Sequence, residues 1–353
     1  MYTKKRFSIK NMMLWTRVET FWFVVIAFAE VLLFVLFDSQ WLHIPFTPVA
    51  LIGTAVAFVI GFQNNAAYGR IWEARQIWGA IVNASRTFGI KVQDMVTNEY
   101  AEKKVPEEEL YQIKKTLIHR HIAWLTTLRY AMRQPRPWEY VLDQKTNKEW
   151  SGMIHVPERV TKMEDELDSY LSSEDMAYID GRANKQTAVL YLQSKHLREL
   201  KEKKLLWEFS FLEMESLLEE LLTHQGKSER IKNFPYPRQF ATLMHYFTWL
   251  FIILLPLGIA PQFADIGLEM SEQFPKYGRY FVWLSVPFCV VVMWIFHTMN
   301  RIGSVGENPF EGSANDVPIS TMARGIEIDL RENLGEPKDV IPKQFPAYKD
   351  VQM

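Results

Sequence analysis

Four apolar runs stand out from an otherwise polar chain. Residues 18–37 carry only Glu19 and Glu30 as charges and match the ~20 residues that a membrane-spanning helix needs. Residues 47–62 are apolar but shorter. Residues 240–263 are interrupted by His245, Pro256 and Pro261, and residues 280–296 carry no charge. A helix shielded by its neighbours or lining water need not be long or wholly apolar, so the short runs point to inner helices.

The flanks of these runs orient them. Lys4, Lys5, Arg6, Lys10 and Arg17 precede the first run, whereas the connection 38–46 has no Lys or Arg. The connection 264–276 sets Asp265, Glu269 and Glu272 against Lys276. The long middle region and Arg301 fall on the side of the basic N-terminal flank. The positive-inside rule therefore predicts a multi-pass protein of the cell membrane with both termini and the middle region in the cytoplasm. Trp15, Trp22, Trp41, Tyr280 and Trp283 lie where membrane interfaces favour aromatics. That placement weighs against four buried helices of a soluble core.

The helical pattern continues outside the runs. Tyr68, Trp72, Arg75, Gly79, Val82, Arg86 and Ile90 extend the second helix to about Asp94. Pro106 followed by Glu107, Glu108 and Glu109 is a helix start. The stripe Leu110, Ile113, Leu117, Trp124, Leu128 and Ala131 carries that helix to Gln134, ahead of Pro135 and Pro137. Residues 139–160 read as loop, and 158–170 as a short acidic helix. Ser172, Ser173, Glu174 and Asp175 resemble a capping sequence. One amphipathic pattern covers 183–223 with Gly226 at its end, and Pro235 and Pro237 precede the third run. No strand pattern of comparable strength appears, so the fold class is all-α. The organisation predicted is 1–97 (first two membrane helices and a cytoplasmic extension), 98–237 (cytoplasmic helical region), 238–300 (third and fourth membrane helices) and 301–353 (cytoplasmic tail).

Composition narrows the function. The chain is 48% hydrophobic and rich in aromatics, with 12 Trp, and its net charge of −1 gives no basic footprint for nucleic acid. The single cysteine, Cys289, lies in an apolar run and excludes a disulfide framework and paired-cysteine metal sites. The first run follows basic residues but ends in no small-residue cleavage site, so it does not read as a signal peptide. His119 and His121, two apart on a helix, point to different faces and cannot share a metal there. Glu213, Glu215, Glu219 and Glu220 are carboxylate-rich, but Glu215 and Glu219, four apart, read as one solvated face. No phosphate loop, zinc spacing or nucleophile elbow is present, so neither an enzyme nor a cofactor is implied.

The second helix carries the distinctive pattern. Thr54, Phe58 and Phe62 fall at i, i+4 and i+8, a stripe about 12 Å long. Ala50, Gly53, Ala55, Ala57 and Gly61 place small residues elsewhere on the helix, where other helices can approach closely. By periodicity alone this would be a packing stripe. The amides Gln63, Asn64 and Asn65 follow it directly, suited to rehydrate an ion that leaves an apolar neck.

From Phe62 through Arg70, Ile71, Trp72, Glu73, Ala74 and Arg75 to Ser85 and Arg86, the sequence resembles the signature of bacterial and plant-type bestrophins. Three further stretches match in family order, over about 15–332: 119–124 with Leu128 and Arg129; 229–233 with Pro235 and Pro237; and Gly306, Glu307, Asn308, Pro309 and Phe310 followed by Asn315, Asp316 and 326–330. The resemblance implies a homopentameric ion channel in membrane lipid, passing small ions through one central pore. Thr54, Phe58 and Phe62 match its neck positions, with Asn64 and Asn65 at the exit. It puts Leu205 at a second, cytosolic constriction, and makes Arg70, Trp72, Glu73, Asn308, Pro309, Phe310 and Asp316 structural signature residues.

Animal members clasp calcium with acids after Asn-Pro-Phe. Here Glu311, Gly312, Ser313 and Ala314 precede Asp316 and leave too few hard ligands, so no metal is expected. The stretch 139–168 is longer than in compact members and has no assigned role. Small anions such as chloride are the expected cargo. A sodium-selective pore and a non-conducting, membrane-anchored interaction protein remain alternatives.

Overall fold

The structure is a computed structural model, and it describes residues 1–37, 44–139 and 144–353. Trp41, the greater part of the first connection and residues 140–143 of the longer stretch lie outside the described residues. All regular structure among the described residues is helical; pairing of extended chain is confined to isolated bridges such as Tyr2 with Val351 and Val96 with Leu206. The first of these holds the two ends of the chain together, with the Thr3 amide donating to the Asp350 carbonyl (2.8 Å).

A short helix α1 (Ile9–Trp15), capped by Ser8, leads into α2 (Arg17–Phe37). The second apolar run opens α3 (Phe46–Met95), which continues as one helix far past its apolar part. α4 (Glu107–Arg133) has the three predicted glutamates in its first turn, where negative charge faces the positive end of the helix dipole. Next come α5 (Lys145–Ser151), α6 (Pro157–Val160), α7 (Met163–Leu167), α8 (Ser173–Asp180), α9 (Lys185–Glu202) and α10 (Glu208–Asn233). α11 (Arg238–Ser271), α12 (Pro275–Gly278), a 3₁₀ turn (Phe281–Leu284), α13 (Ser285–Gly306) and α14 (Ile319–Leu334) complete the chain. Helices α2, α3 and α11, and α13 with its 3₁₀ turn, are each long and apolar enough to span a bilayer.

Four sequence expectations change. Residues 139–160 are not simply loop, because α5 and α6 form within them. The acidic helix expected over 158–170 is two short pieces, α6 and α7, separated at Thr161 and Lys162. The pattern over 183–223 is two helices, broken where Lys204 takes a left-handed backbone (φ 56°). Gly226 ends nothing: α10 runs through it to Asn233, since one glycine costs a helix only ~1 kcal/mol. Likewise α11 passes through Pro256 and Pro261, which packed membrane helices tolerate.

Two apolar cores share α3. The membrane core packs Val49, Val56 and Ile60 of α3 against Phe23, Phe251, Leu255, Cys289 and Met293. The larger core, outside the membrane helices, packs Trp78, Ile81, Phe88 and Val92 against Leu117, Trp124, Leu197, Met214, Leu221 and Leu330. Gly53 and Gly89 let partners approach: an added Cβ would stand 2.6 Å from the Phe251 ring and 2.5 Å from Leu330, respectively.

The larger core encloses histidines. His121 stacks on Phe88 (centroids 4.8 Å apart), and burial lowers its pKa from 6.5 to about 3. Burial, then the charge of Arg120, lowers that of His196 to about 4. The unfolded chain therefore binds protons below about pH 6.5 that the folded chain refuses, and stability falls as pH drops through that interval. The melting midpoint of the purified protein should be lower at pH 5.5 than at pH 7.5, with a shallower decline in His121→Gln. A pH-independent midpoint would contradict this account.

Candidate functional site

Thr54, Phe58 and Phe62 share an exposed face of α3. Phe58 is 66% and Phe62 59% exposed, and their rings meet edge to face at 4.5 Å and 88°. The Thr54 hydroxyl donates to the Ala50 carbonyl (2.9 Å), which turns its methyl outward from that bond. The opposite face, through Gly53, Val56, Ile60, Gln63 and Ala67, is buried in the chain's own bundle. Of the small residues, only Gly53 meets a partner closely; Ala55, Ala57 and Gly61 are exposed beside the aromatic stripe.

The two asparagines part company. Asn65 is exposed on the same side as the stripe, whereas Asn64 turns toward α13. Its Oδ1 would lie 2.5 Å from a Cβ placed on Gly303, and its amide atoms are buried. Asn64 therefore lacks the exposure that an exit position needs. The pairing was legible as two adjacent amides, but adjacent helical residues diverge by about 100°.

Below the stripe, α3 is fastened to the ends of α10 and α13. Arg70 donates to the carbonyls of Glu307 (2.7 Å), Ile231 (3.1 Å) and Phe234 (2.8 Å). Gln63 donates to the fully buried Glu307 carboxylate (2.8 Å), which Arg238 also approaches at 3.8 Å. Glu73 pairs with Arg230, and Trp72 stacks on Tyr68 at the surface.

The turn after α13 is built around Asp316. Its carboxylate accepts the amides of Phe310 (2.8 Å), Gly312 (2.6 Å) and Val317 (2.6 Å) and one bond from Arg133 (2.9 Å). Arg133 donates as well to the Phe310 carbonyl (2.9 Å). Phe310 is left-handed (φ 77°), and its fully buried ring lies near Trp78. Asn308 is buried in the same turn, and Pro309 fixes its own φ and restricts that of Asn308. These bonds all join parts of one chain.

A family model of bacterial and fungal bestrophin proteins matches residues 7–332. The chain belongs to the bestrophin family. A voltage-dependent anion channel-forming protein of Salmonella typhi is 24% identical over 307 residues, spanning 86% of this bestrophin and 82% of that protein. A protein of the same description from Escherichia coli is 23% identical over 316 residues, with 87% and 86% covered. The crystal structure of a bacterial bestrophin homologue from Klebsiella pneumoniae superposes with a TM-score of 0.70 at 20% identity, covering 90% of this chain and 98% of that one. At that identity the likeness is one of fold.

One expected position fails on geometry. Leu205 is 1% exposed, enclosed in the larger core, and its carbonyl accepts the Thr97 amide (3.0 Å). A residue lining a constriction must reach solvent, so Leu205 cannot serve. The left-handed Lys204 turns the chain inward there, and such a turn leaves no hydrophobic signature in sequence. Trp207, Phe209 and Leu212, just beyond, are exposed instead.

Sequence reasoning also passed over a buried ionic cluster. Arg129 pairs with Glu158 and Glu166, and Ser320 donates to both oxygens of Glu158 (2.7 and 2.8 Å). Burial alone would raise the pKa of Glu158, but Arg129 and Arg133 hold it below the ordinary value. Arg129 and Arg133, four apart on the apolar side of α4, were the available signal.

Arg301 of α13 is a second hub. It stacks on Trp15 at 4.3 Å and donates to the Trp15 carbonyl (2.8 Å), Glu19 (3.1 Å) and Asn147 (2.9 Å). Asn147 also accepts from the Trp15 indole (2.7 Å). The longer stretch thus has a structural use: α5 clamps the junction of α1 and α2 to α13.

Arg70 is the most exacting of these contacts. Arg70→Met should lower the thermal midpoint of the purified protein, by a destabilisation of roughly 3 kcal/mol or more, because each bond to a charged donor contributes about 1.5–3 kcal/mol. Lysine is a point charge and cannot span three carbonyls, so Arg70→Lys should recover less than half of that loss. Full recovery by lysine would show that charge alone matters there.

Proposed function

We propose that this protein is a passive anion channel of the cell membrane, in which five copies surround a pore whose neck is lined by Thr54, Phe58 and Phe62. The observation that carries this reading is the bare aromatic stripe on a helix whose other face is fully packed. Large apolar side chains at that exposure want a partner, and small residues at Ala55, Ala57 and Gly61 leave room for another copy of the helix alongside. The anion channel-forming relatives and the bestrophin fold support the same function.

Hydrophobic constrictions gate by dewetting. Replacing Thr54, Phe58 and Phe62 together by alanine should raise current through planar bilayers severalfold, with assembly intact. Unchanged current in that variant would remove the stripe from the pore.

The sign of the ion follows from the rings. Aromatic edges are partially positive, and rings crowded around an axis turn their faces to neighbouring helices and their edges inward. Glu213, an acid that would draw cations, is paired with Lys91 (2.9 Å). Chloride should permeate more readily than sodium, and the ratio should fall in Phe58→Ile. A reversal potential near the sodium equilibrium value would favour the cation reading instead.

The charge asymmetry of the flanks supports cytoplasmic termini. Because Cys289 is buried, a thiol introduced as Lys5→Cys reports cleanly. An impermeant maleimide should label it only after the cells are permeabilised; labelling in intact cells would invert the topology.

A further inference from the structure

We infer that the groove between α1 and α2 binds an anionic phospholipid of the cytoplasmic leaflet. This rests on the orientation above, not on conduction. Lys10, Met13, Leu14, Arg17, Phe21 and Val24, with Thr20, line a groove of about 480 Å³. These positions follow one another at three- and four-residue steps, so a single stripe runs from α1 onto α2 across their junction at Thr16. Its upper part, at Phe21 and Val24, is continuous with the exposed apolar face of a bilayer-spanning helix. Its lower part is basic.

No residue of α1 is buried, and Ile9 is 83% exposed. The first 18 residues contain no acid. Lys4 pairs with Asp350 and Arg17 with Glu149 at the surface; among the described residues no carboxylate pairs with Lys5, Arg6 or Lys10. A helix that packs on its own protein through Trp15 and leaves apolar and basic residues together on its outer face matches an interfacial segment lying among headgroups. Each basic residue near an anionic surface adds attraction.

The occupant is therefore a lipid with an anionic headgroup at Lys10 and Arg17 and an acyl chain along Phe21 and Val24. Its phosphate must compete with Glu149 for Arg17, and exposed ion pairs of that kind are weak. Lys10 has no such competitor and is the better probe.

The test follows the thermal midpoint of the detergent-purified full chain with phosphatidylglycerol, phosphatidylcholine or soluble glycerol phosphate added. Phosphatidylglycerol should raise the midpoint by about 5 °C, phosphatidylcholine by much less, and glycerol phosphate not at all. Lys10→Gln should lose at least half of the shift, and Lys10→Arg should keep it. An equal shift with phosphatidylcholine, or an undiminished one in Lys10→Gln, would overturn the assignment. A full shift with glycerol phosphate would assign a soluble anion instead. None of these readings depends on current, so a silent channel would leave the result standing.

Discussion

One guanidinium sets the position of α3. A helix end leaves its last carbonyls without partners, and Arg70 reaches those of two helices at once: Ile231 and Phe234 at the end of α10, and Glu307 at the end of α13. Positive charge there is also favoured by both helix dipoles. One turn or two above, Gln63 binds the buried Glu307 carboxylate. With residues 63 and 70 both tied, the rotational setting of α3 is fixed, since a helix advances by a constant angle per residue. The direction faced by Phe58 and Phe62, within two turns of Gln63, follows from it.

The same helix belongs to two cores that differ in what drives them. In the membrane part, burial against Phe251 and Met293 gains little from leaving water, and close contact at small residues such as Gly53 does the work. In the part outside the membrane helices, burial of Trp78, Phe88 and Val92 removes apolar surface from water at about 25 cal/mol per Å². That larger bundle thus contributes the hydrophobic anchoring that the membrane part lacks. Arg70 stands at the boundary, where neither core covers the polar helix ends.

The sequence made periodic and chemical features legible and left local turns obscure. The long α3, the start of α4 at Pro106 and the Thr54–Phe58–Phe62 stripe all recur at helical spacing, so each shows as a pattern over many residues. The break at Lys204 does not, because a lysine in left-handed conformation is decided by the packing of Leu205 and Leu206 around it. Gly226 misled in the opposite sense: its propensity is local, whereas α10 is held on both sides of it by Leu221 and Ile231 in the core. Asn64 was misplaced by a single residue's rotation. The stretch 139–168 resisted assignment because Asn147 and Glu158 act through distant partners, Arg301 and Arg129, that no spacing rule connects.

The turn at Phe310 ties these arguments together. A left-handed backbone costs a bulky residue of order 1–3 kcal/mol and persists only where its surroundings over-determine it. Here they do: the ring is buried near Trp78 of α3, and Asp316 gathers three amides and Arg133 around the bend. Past the bend, α14 returns to α3, where Leu330 fills the space left by Gly89 and Arg86 meets Asp329 at 2.7 Å. The element that leaves the apolar bundle at Glu307 is thus brought back onto α3 at a second level, several turns from Arg70. Rotating α3 would strip Arg70 of its acceptors and drive a Cβ-less surface away from Leu330 at the same time. Two restraints so far apart on one rigid helix leave the freedom of this face to the side-chain rotamers of Phe58 and Phe62, exposed rings that pack edge to face on each other.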